Sequence, residues 1–148
     1  MLDISFIILT YNEQLHIERC IKNVLPIAKD VFVIDSYSED NTVKLAESLG
    51  AKVLSYTWEY SHAKKFNWAL DNCPIKTKWV FRLDADEYLT PELIEEIKEK
   101  INTLDDSVTG LVSNRRVIVL GKWMKRGACP VKLVRLFYYI ADFLNIPF

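Results

Sequence analysis

The strongest constraint on this chain is an alternation. The nearly continuous apolar run ISFIILT (Ile4 to Thr10) and the strand-like runs VFVID (Val31 to Asp35), KVLSY (Lys52 to Tyr56) and KWVFRLD (Lys78 to Asp84) are separated by segments with a helical repeat. A short run that is apolar at nearly every position reads as a strand buried on both faces. After the first run, Ile17, Cys20, Ile21, Val24 and Leu25 recur at the spacing of one helical face, with Asn12 as the expected cap and Pro26 near the end. Val43 to Leu49 predicts a second helix, closed by Gly50. Ser61 to Leu70 predicts a third, with Ala63, Phe66 and Leu70 on one side. Thr90 and Pro91 form a cap followed by a first-turn proline, and Leu93, Ile94, Ile97 and Ile101 give a fourth helix its buried stripe. Strand–helix alternation with short connections predicts a parallel sheet covered on both faces.

Size and charge narrow the functions open to such a fold. The chain has 148 residues, enough for one domain and too few for a (β/α)₈ barrel of ~250. A net charge of -1 argues against a nucleic-acid reader, and no apolar run approaches the ~20 residues of a membrane span. The start, MLDISFIILTYNEQ, has no basic region before its apolar stretch, so no secretory signal is expected. With only four glycines, there is neither a G-x-G-x-x-G nor a P-loop motif, which argues against a Rossmann dehydrogenase and a P-loop NTPase. Cys20, Cys73 and Cys129 are widely spaced, and His16 and His62 stand apart; reduced, buried thiols are expected rather than a zinc site or disulfides. Beyond Asn102, Gly110 to Met124 reads as strand or hairpin. The apolar, aromatic end KLVRLFYYIADFLNIPF is expected to form a short helix from Lys132 to Leu144.

Ligands of parallel α/β sheets bind at the C-terminal ends of the strands. Here those ends are TYNEQ, DSYSED, YTWEYSHAKK and DADEY, all polar. In Asp84-Ala85-Asp86-Glu87, residues i and i+2 of an extended strand end point to the same side, so Asp84 and Asp86 are a candidate pair for Mg²⁺ or Mn²⁺. A solvated acidic turn is the alternative. Asp35 is either an acceptor for ribose or base, or a turn acid or N-cap in a role shared with Ser38. Thr10, Asn12 and Glu13 form the first turn and can hydrogen-bond a nucleoside; Asn12 as a plain helix cap is compatible with that role. Lys64, Lys65 and Asn67 open the third helix, where cations oppose the helix dipole unless an anion such as a diphosphate offsets them. Trp58, Tyr60 and Trp68 read as core or rim packing more readily than as a sugar platform.

TYNE, VIDSYSEDNT, KKFNWAL and FRLDADEYLTPEL, in this order, resemble the family 2 glycosyltransferases with the GT-A fold. NRRVIVLGKWMKRGACPVKLVRLF is similar to the continuation found in lipopolysaccharide-core β-glucosyltransferases. The resemblance implies a three-layer α/β domain with a mostly parallel central sheet over 1–137, C-terminally truncated, followed by an atypical apolar tail over 138–148. It further implies a UDP-sugar donor, Mn²⁺ or Mg²⁺, a glycan or lipid-linked glycan acceptor, and inverting transfer in lipopolysaccharide or cell-envelope synthesis. Thr10, Asn12, Glu13 and Asp35 would line the nucleoside pocket, Lys65 would lie near the diphosphate, and Asp84 and Asp86 would hold the metal. The expected location is cytoplasmic, or at the inner face of the membrane with peripheral association if the acceptor is lipid-linked. Where many relatives carry a second acid after the residue matched by Asp35, this chain has Ser36. The family's catalytic base follows the RLF segment; Asp142 is the only acid there and lies in an apolar run, so no residue is assigned that role. Two other readings stay open: a donor-binding but catalytically incomplete protein, and a nucleotidyltransferase.

Overall fold

The computed structural model describes residues 1–125 and 131–139. β1 (Ile4–Thr10) is buried at every position and lies inside a six-stranded sheet. It pairs in parallel with β2 (Asp30–Asp35) on one side and β4 (Trp79–Asp84) on the other. β3 (Lys52–Ser55) adds in parallel beyond β2. The remaining strands, β5 (Gly110–Arg115) and β8 (Val131–Tyr138), are antiparallel additions, giving the order β3-β2-β1-β4-β8-β5. β6 (Ile118–Val119) and β7 (Lys122–Trp123) form a separate two-stranded hairpin.

The helices divide between the two faces. α1 (Ile17–Val24), α2 (Thr42–Ser48) and α4 (Pro91–Lys100) bury Ile17, Cys20, Ile21, Val24, Ala46 and Ile97 against Ile4, Phe6, Ile8, Val31, Val33 and Phe81. α3 (His62–Asn72) covers the opposite face, with Phe66 and Ala69 against Ile7, Leu9, Phe32, Ile34 and Val80. Two expected caps are present: Thr90 accepts from the Leu93 N–H ahead of Pro91, and Gly50 turns the chain after α2 at φ +82°; Ser61, expected inside the third helix, caps it instead by accepting from the Lys64 N–H.

Two expectations are corrected. Asn12 caps no helix: α1 begins at Ile17 behind His16, and Asn12 sits in the left-handed region at φ +52°, where its carbonyl oxygen accepts from the Glu39 N–H. Asparagine tolerates that conformation better than most residues. The segment expected as a helix from Lys132 is instead strand through Tyr138, and the rest of that helix, with Asp142 and most of the tail, lies outside the described residues, as does Cys129. The cause is β4, whose outer edge would otherwise carry unpaired N–H and C=O groups. β8 fills it, pairing Trp79 with Tyr138 and Phe81 with Leu136.

Candidate functional site

The parallel strands direct β1, β2 and β4 to one edge of the sheet, and the loops leaving that edge are bonded to one another. The Asn12 N–H donates to the Ser38 hydroxyl (2.8 Å), Glu13 N–H to the Thr42 hydroxyl (2.7 Å) and Gln14 N–H to the Asp40 carboxylate (3.1 Å). The first and second strand-end loops are thus held as one unit before any ligand arrives.

Thr10 and Asp35 are register partners and both buried. The Asp35 carboxylate accepts from the Thr10 hydroxyl (2.8 Å), the Ser38 N–H (2.7 Å) and the Ser38 hydroxyl (2.5 Å). These donors use both acceptor positions of Oδ1 and one on Oδ2, leaving about one of roughly four carboxylate positions for another donor among the described residues. The turn-acid role shared with Ser38 is therefore present, and it does not exhaust the group. Glu13 is half-buried and bonded to His16 (2.8 Å), which gives that histidine a partner the sequence did not suggest.

Lys65 is almost fully buried, at 3% exposure, although it lies in the first turn of α3. Its ammonium donates to the Thr10 carbonyl (2.7 Å) and the Ser36 hydroxyl (2.7 Å). The cation that sequence reasoning placed against the helix dipole thus reaches the tips of β1 and β2, while Lys64 pairs at the surface with Glu59 (2.9 Å). Burial pulls the Lys65 pKa down to about 8, against an upward pull from Asp35 and Asp84. Ser36, directly after Asp35, is thus one of the two acceptors of this lysine.

Asp84 is the register partner of Leu9, so it is rooted on the α3 face, whereas Thr10 and Asp35 are rooted on the other. Asp35 and Asp84 flank β1, about two strand spacings or ~10 Å apart, and the Lys65 ammonium lies within electrostatic reach of both. Asp86 is exposed beyond the strand end, and its carbonyl accepts from Arg19 (2.9 Å). Cys20 beneath this turn is buried, its thiol pushed up to about 12 chiefly by burial, which fits an inert apolar role.

The basic residues around Asp84 were not legible as site residues. Arg82, on the same face of β4, lies 3.5 Å from Asp84 Oδ1, and its buried Nε has no hydrogen-bond partner among the described residues. Arg135, on β8 and 7% exposed, donates to Glu87 Oε1 (2.8 Å) and lies 3.5 Å from Asp84 Oδ2. Glu87 also accepts from the Asp84 N–H (3.1 Å), closing the turn, and burial pushes its pKa up. Exposed rings surround this edge: Tyr11, Tyr37, Trp58, Tyr60 and Tyr88. Packing accounts for Trp68, which tilts against buried Tyr56, but not for Tyr60, which is 92% exposed at φ +57°.

A divalent cation fits this donor set. Mg²⁺ and Mn²⁺ take hard oxygens and are commonly held by one or two carboxylates plus substrate phosphates. Asp84 and Asp86 offer such carboxylates, and among the described residues no group of three His, Cys, Asp or Glu side chains forms a complete cage. The orphaned Arg82 Nε and the nearby Arg135 favour an anion arriving with the metal.

A mostly parallel sheet with acidic strand ends at one edge is the architecture of the GT-A glycosyltransferases. The chain belongs to glycosyl transferase family 2, whose model matches residues 5–146. It is 48% identical over 96 residues to a glycosyltransferase of Rickettsia bellii (strain RML369-C), covering 64% of this chain and 31% of that protein. It is 29% identical over 124 residues to the lipopolysaccharide core biosynthesis glycosyltransferase LpsC of Rhizobium meliloti (strain 1021), covering 80% and 44%. Among solved structures, mannosyl-3-phosphoglycerate synthase from Rubrobacter xylanophilus aligns with a TM-score of 0.60 at 22% identity, covering 74% of this chain and 38% of that one. Glucosyl-3-phosphoglycerate synthase from Mycobacterium tuberculosis, in complex with uridine diphosphate, aligns with a TM-score of 0.59 at 21% identity, covering 72% and 42%. The chain therefore spans about a third of the length of the Rickettsia relative it matches.

Proposed function

We propose that this chain carries the donor-binding part of an inverting glycosyltransferase that uses a UDP-sugar and Mn²⁺ or Mg²⁺, with a glycan or lipid-linked glycan acceptor of the lipopolysaccharide or cell envelope. The observation that carries the reading is the buried Lys65 ammonium, bonded to the tips of β1 and β2 and within electrostatic reach of both Asp35 and Asp84. In this reading Thr10, Asn12, Glu13 and Asp35 receive the nucleoside. Lys65, with Arg82 beside Asp84, stabilises the diphosphate. Asp84 and Asp86 hold the metal, which when bound supplies charge neutralisation at the leaving group. The acceptor hydroxyl attacks the anomeric carbon on the face opposite the diphosphate, the glycosidic bond to the nucleotide breaks, and its electrons leave on the diphosphate. The acceptor proton goes to a base that we assign to no described residue. A cytoplasmic location at the inner membrane face suits a lipid-linked acceptor.

Structural neighbours named for complexes with Mn²⁺ and uridine diphosphate support the donor side, and the LpsC relative supports the lipopolysaccharide side. A second reading is a donor-binding unit without transfer. Turnover of UDP-sugar with a sugar acceptor separates the two. The donor claim itself is tested by calorimetry: Asp84→Asn and Asp86→Asn should each weaken Mn²⁺-dependent UDP binding by about tenfold or more. Unchanged affinity in the folded variants would remove the metal assignment.

A further inference from the structure

Seven of the chain's 19 lysines and arginines fall between Asp106 and Asp142, a stretch without a single acid, so the rest of the chain carries a net charge of -8. Arg135 is consumed by the site and Arg115 lies 3.7 Å from the same Glu87, but Arg116, Lys122, Lys125 and Lys132 are exposed. The exposed apolar residues of this stretch gather in the same place. Ile118, Val119, Leu120, Trp123 and Met124, on and beside the β6–β7 hairpin, are each at least 43% exposed.

The hairpin's tip is not explained by folding. Leu120 and Gly121 form a two-residue turn with φ of +49° and +74°, the geometry that favours Asn-Gly. A leucine there is strained, and its side chain is 97% exposed, so it covers nothing in the described fold. Behind the tip, the Trp123 ring lies 4.9 Å from the Arg116 guanidinium and 4.8 Å from the Lys125 ammonium.

We propose that the β6–β7 hairpin docks on an anionic bilayer surface, with Val119 and Leu120 entering the acyl boundary. Trp123 would lie at headgroup level and the flanking cations would meet lipid phosphates. An apolar wedge, an amphipathic ring behind it and snorkelling cations match the layers of a membrane interface in order. A protein partner would instead need a preformed groove for a projecting leucine. No helix among the described residues is long and apolar enough to cross a membrane, so contact through this hairpin would be peripheral. The inference rests on the lipid-linked acceptor reading only for its purpose; vesicle binding needs neither metal nor UDP, so each can fail without the other.

The test is flotation of the full chain with phosphatidylcholine vesicles, with and without phosphatidylglycerol. Binding should require phosphatidylglycerol and weaken as salt shortens the screening length. Leu120→Ser and the pair Arg116→Gln/Lys125→Gln should each reduce it about tenfold or more, while Lys98→Gln on α4 leaves it unchanged. An unchanged thermal melt establishes that the variants fold. Equal binding to both vesicle types, or binding indifferent to both hairpin variants, would overturn the proposal. So would self-association that the hairpin variants abolish in a chain that never floats.

Discussion

The segment from β1 to α4 and the segment from β5 to β8 are built on different terms. In the first, β1, β2 and β4 are largely buried, α3 and α4 are capped by side chains, and strand-end loops are tied together by side-chain bonds. In the second, every strand is antiparallel to its partner, one hairpin stands off the main sheet, and apolar side chains face solvent. The first gathers Thr10, Asp35, Lys65 and Asp84 at one edge of the sheet. The second reaches back to that edge with Arg135 and, more distantly, with Arg115, which lies 3.7 Å from Glu87, and otherwise presents a basic, apolar surface. On the proposed function, donor chemistry would sit in the part that is over-determined by packing and outward contacts in the part that is not.

Substitutions can break this contrast. The largest loss is expected at Phe6, fully buried and stacked on Phe81 with ring centroids 5.1 Å apart. Phe6→Ala should cost about 3–5 kcal/mol in urea unfolding. Next comes the link between segments. Arg135→Met leaves half-buried Glu87 without its closest cation and should cost about 2 kcal/mol, with a double-mutant cycle to Glu87→Gln recovering a coupling energy.

Smaller still is Lys65. Lys65→Ala should weaken UDP about tenfold and uridine much less, read by calorimetry; equal losses would argue against a diphosphate role. The same lysine has a pH signature. Its pKa is lowered from 10.5 to about 8 in the folded chain, so between those values the unfolded chain holds the proton and the folded chain has lost it. Stability from this group therefore rises with pH across that window. Wild type should gain on Lys65→Met from pH 8 to 10.5, a difference from which the buried cysteines, common to both proteins, cancel. The smallest effect sharpens the comparison from the other side: Leu120→Ser should change stability by no more than about 0.5 kcal/mol.

The four parallel strands were legible as short bounded runs, and the helices from their apolar spacing, helped by Gly50 after α2 and by Thr90-Pro91 ahead of α4. Family 2 membership was legible in the ordered strand-end motifs. β8 was not, because Leu133, Leu136 and Phe137 satisfy helical spacing as well as strand composition. What decides between them is the open edge of β4, a partner more than forty residues upstream. Arg135 was lost with it, since only a strand in that register brings it to Glu87. Lys65 was found for its charge, but its burial and its bond to Ser36 depend on how α3 lies across the sheet. Asn12 was misread because a cap and a left-handed turn draw on the same residue type.

The sheet order has a consequence for synthesis. β8 lies between β4 and β5, so β5 has no place in the sheet until a strand made later has docked. While the chain emerges from the ribosome, β4 presents a bare, apolar rim, and β5 waits as an unattached ribbon. The last piece of backbone to join is a keystone, and a nascent chain stalled before Val131 would expose a template for pairing with its neighbours.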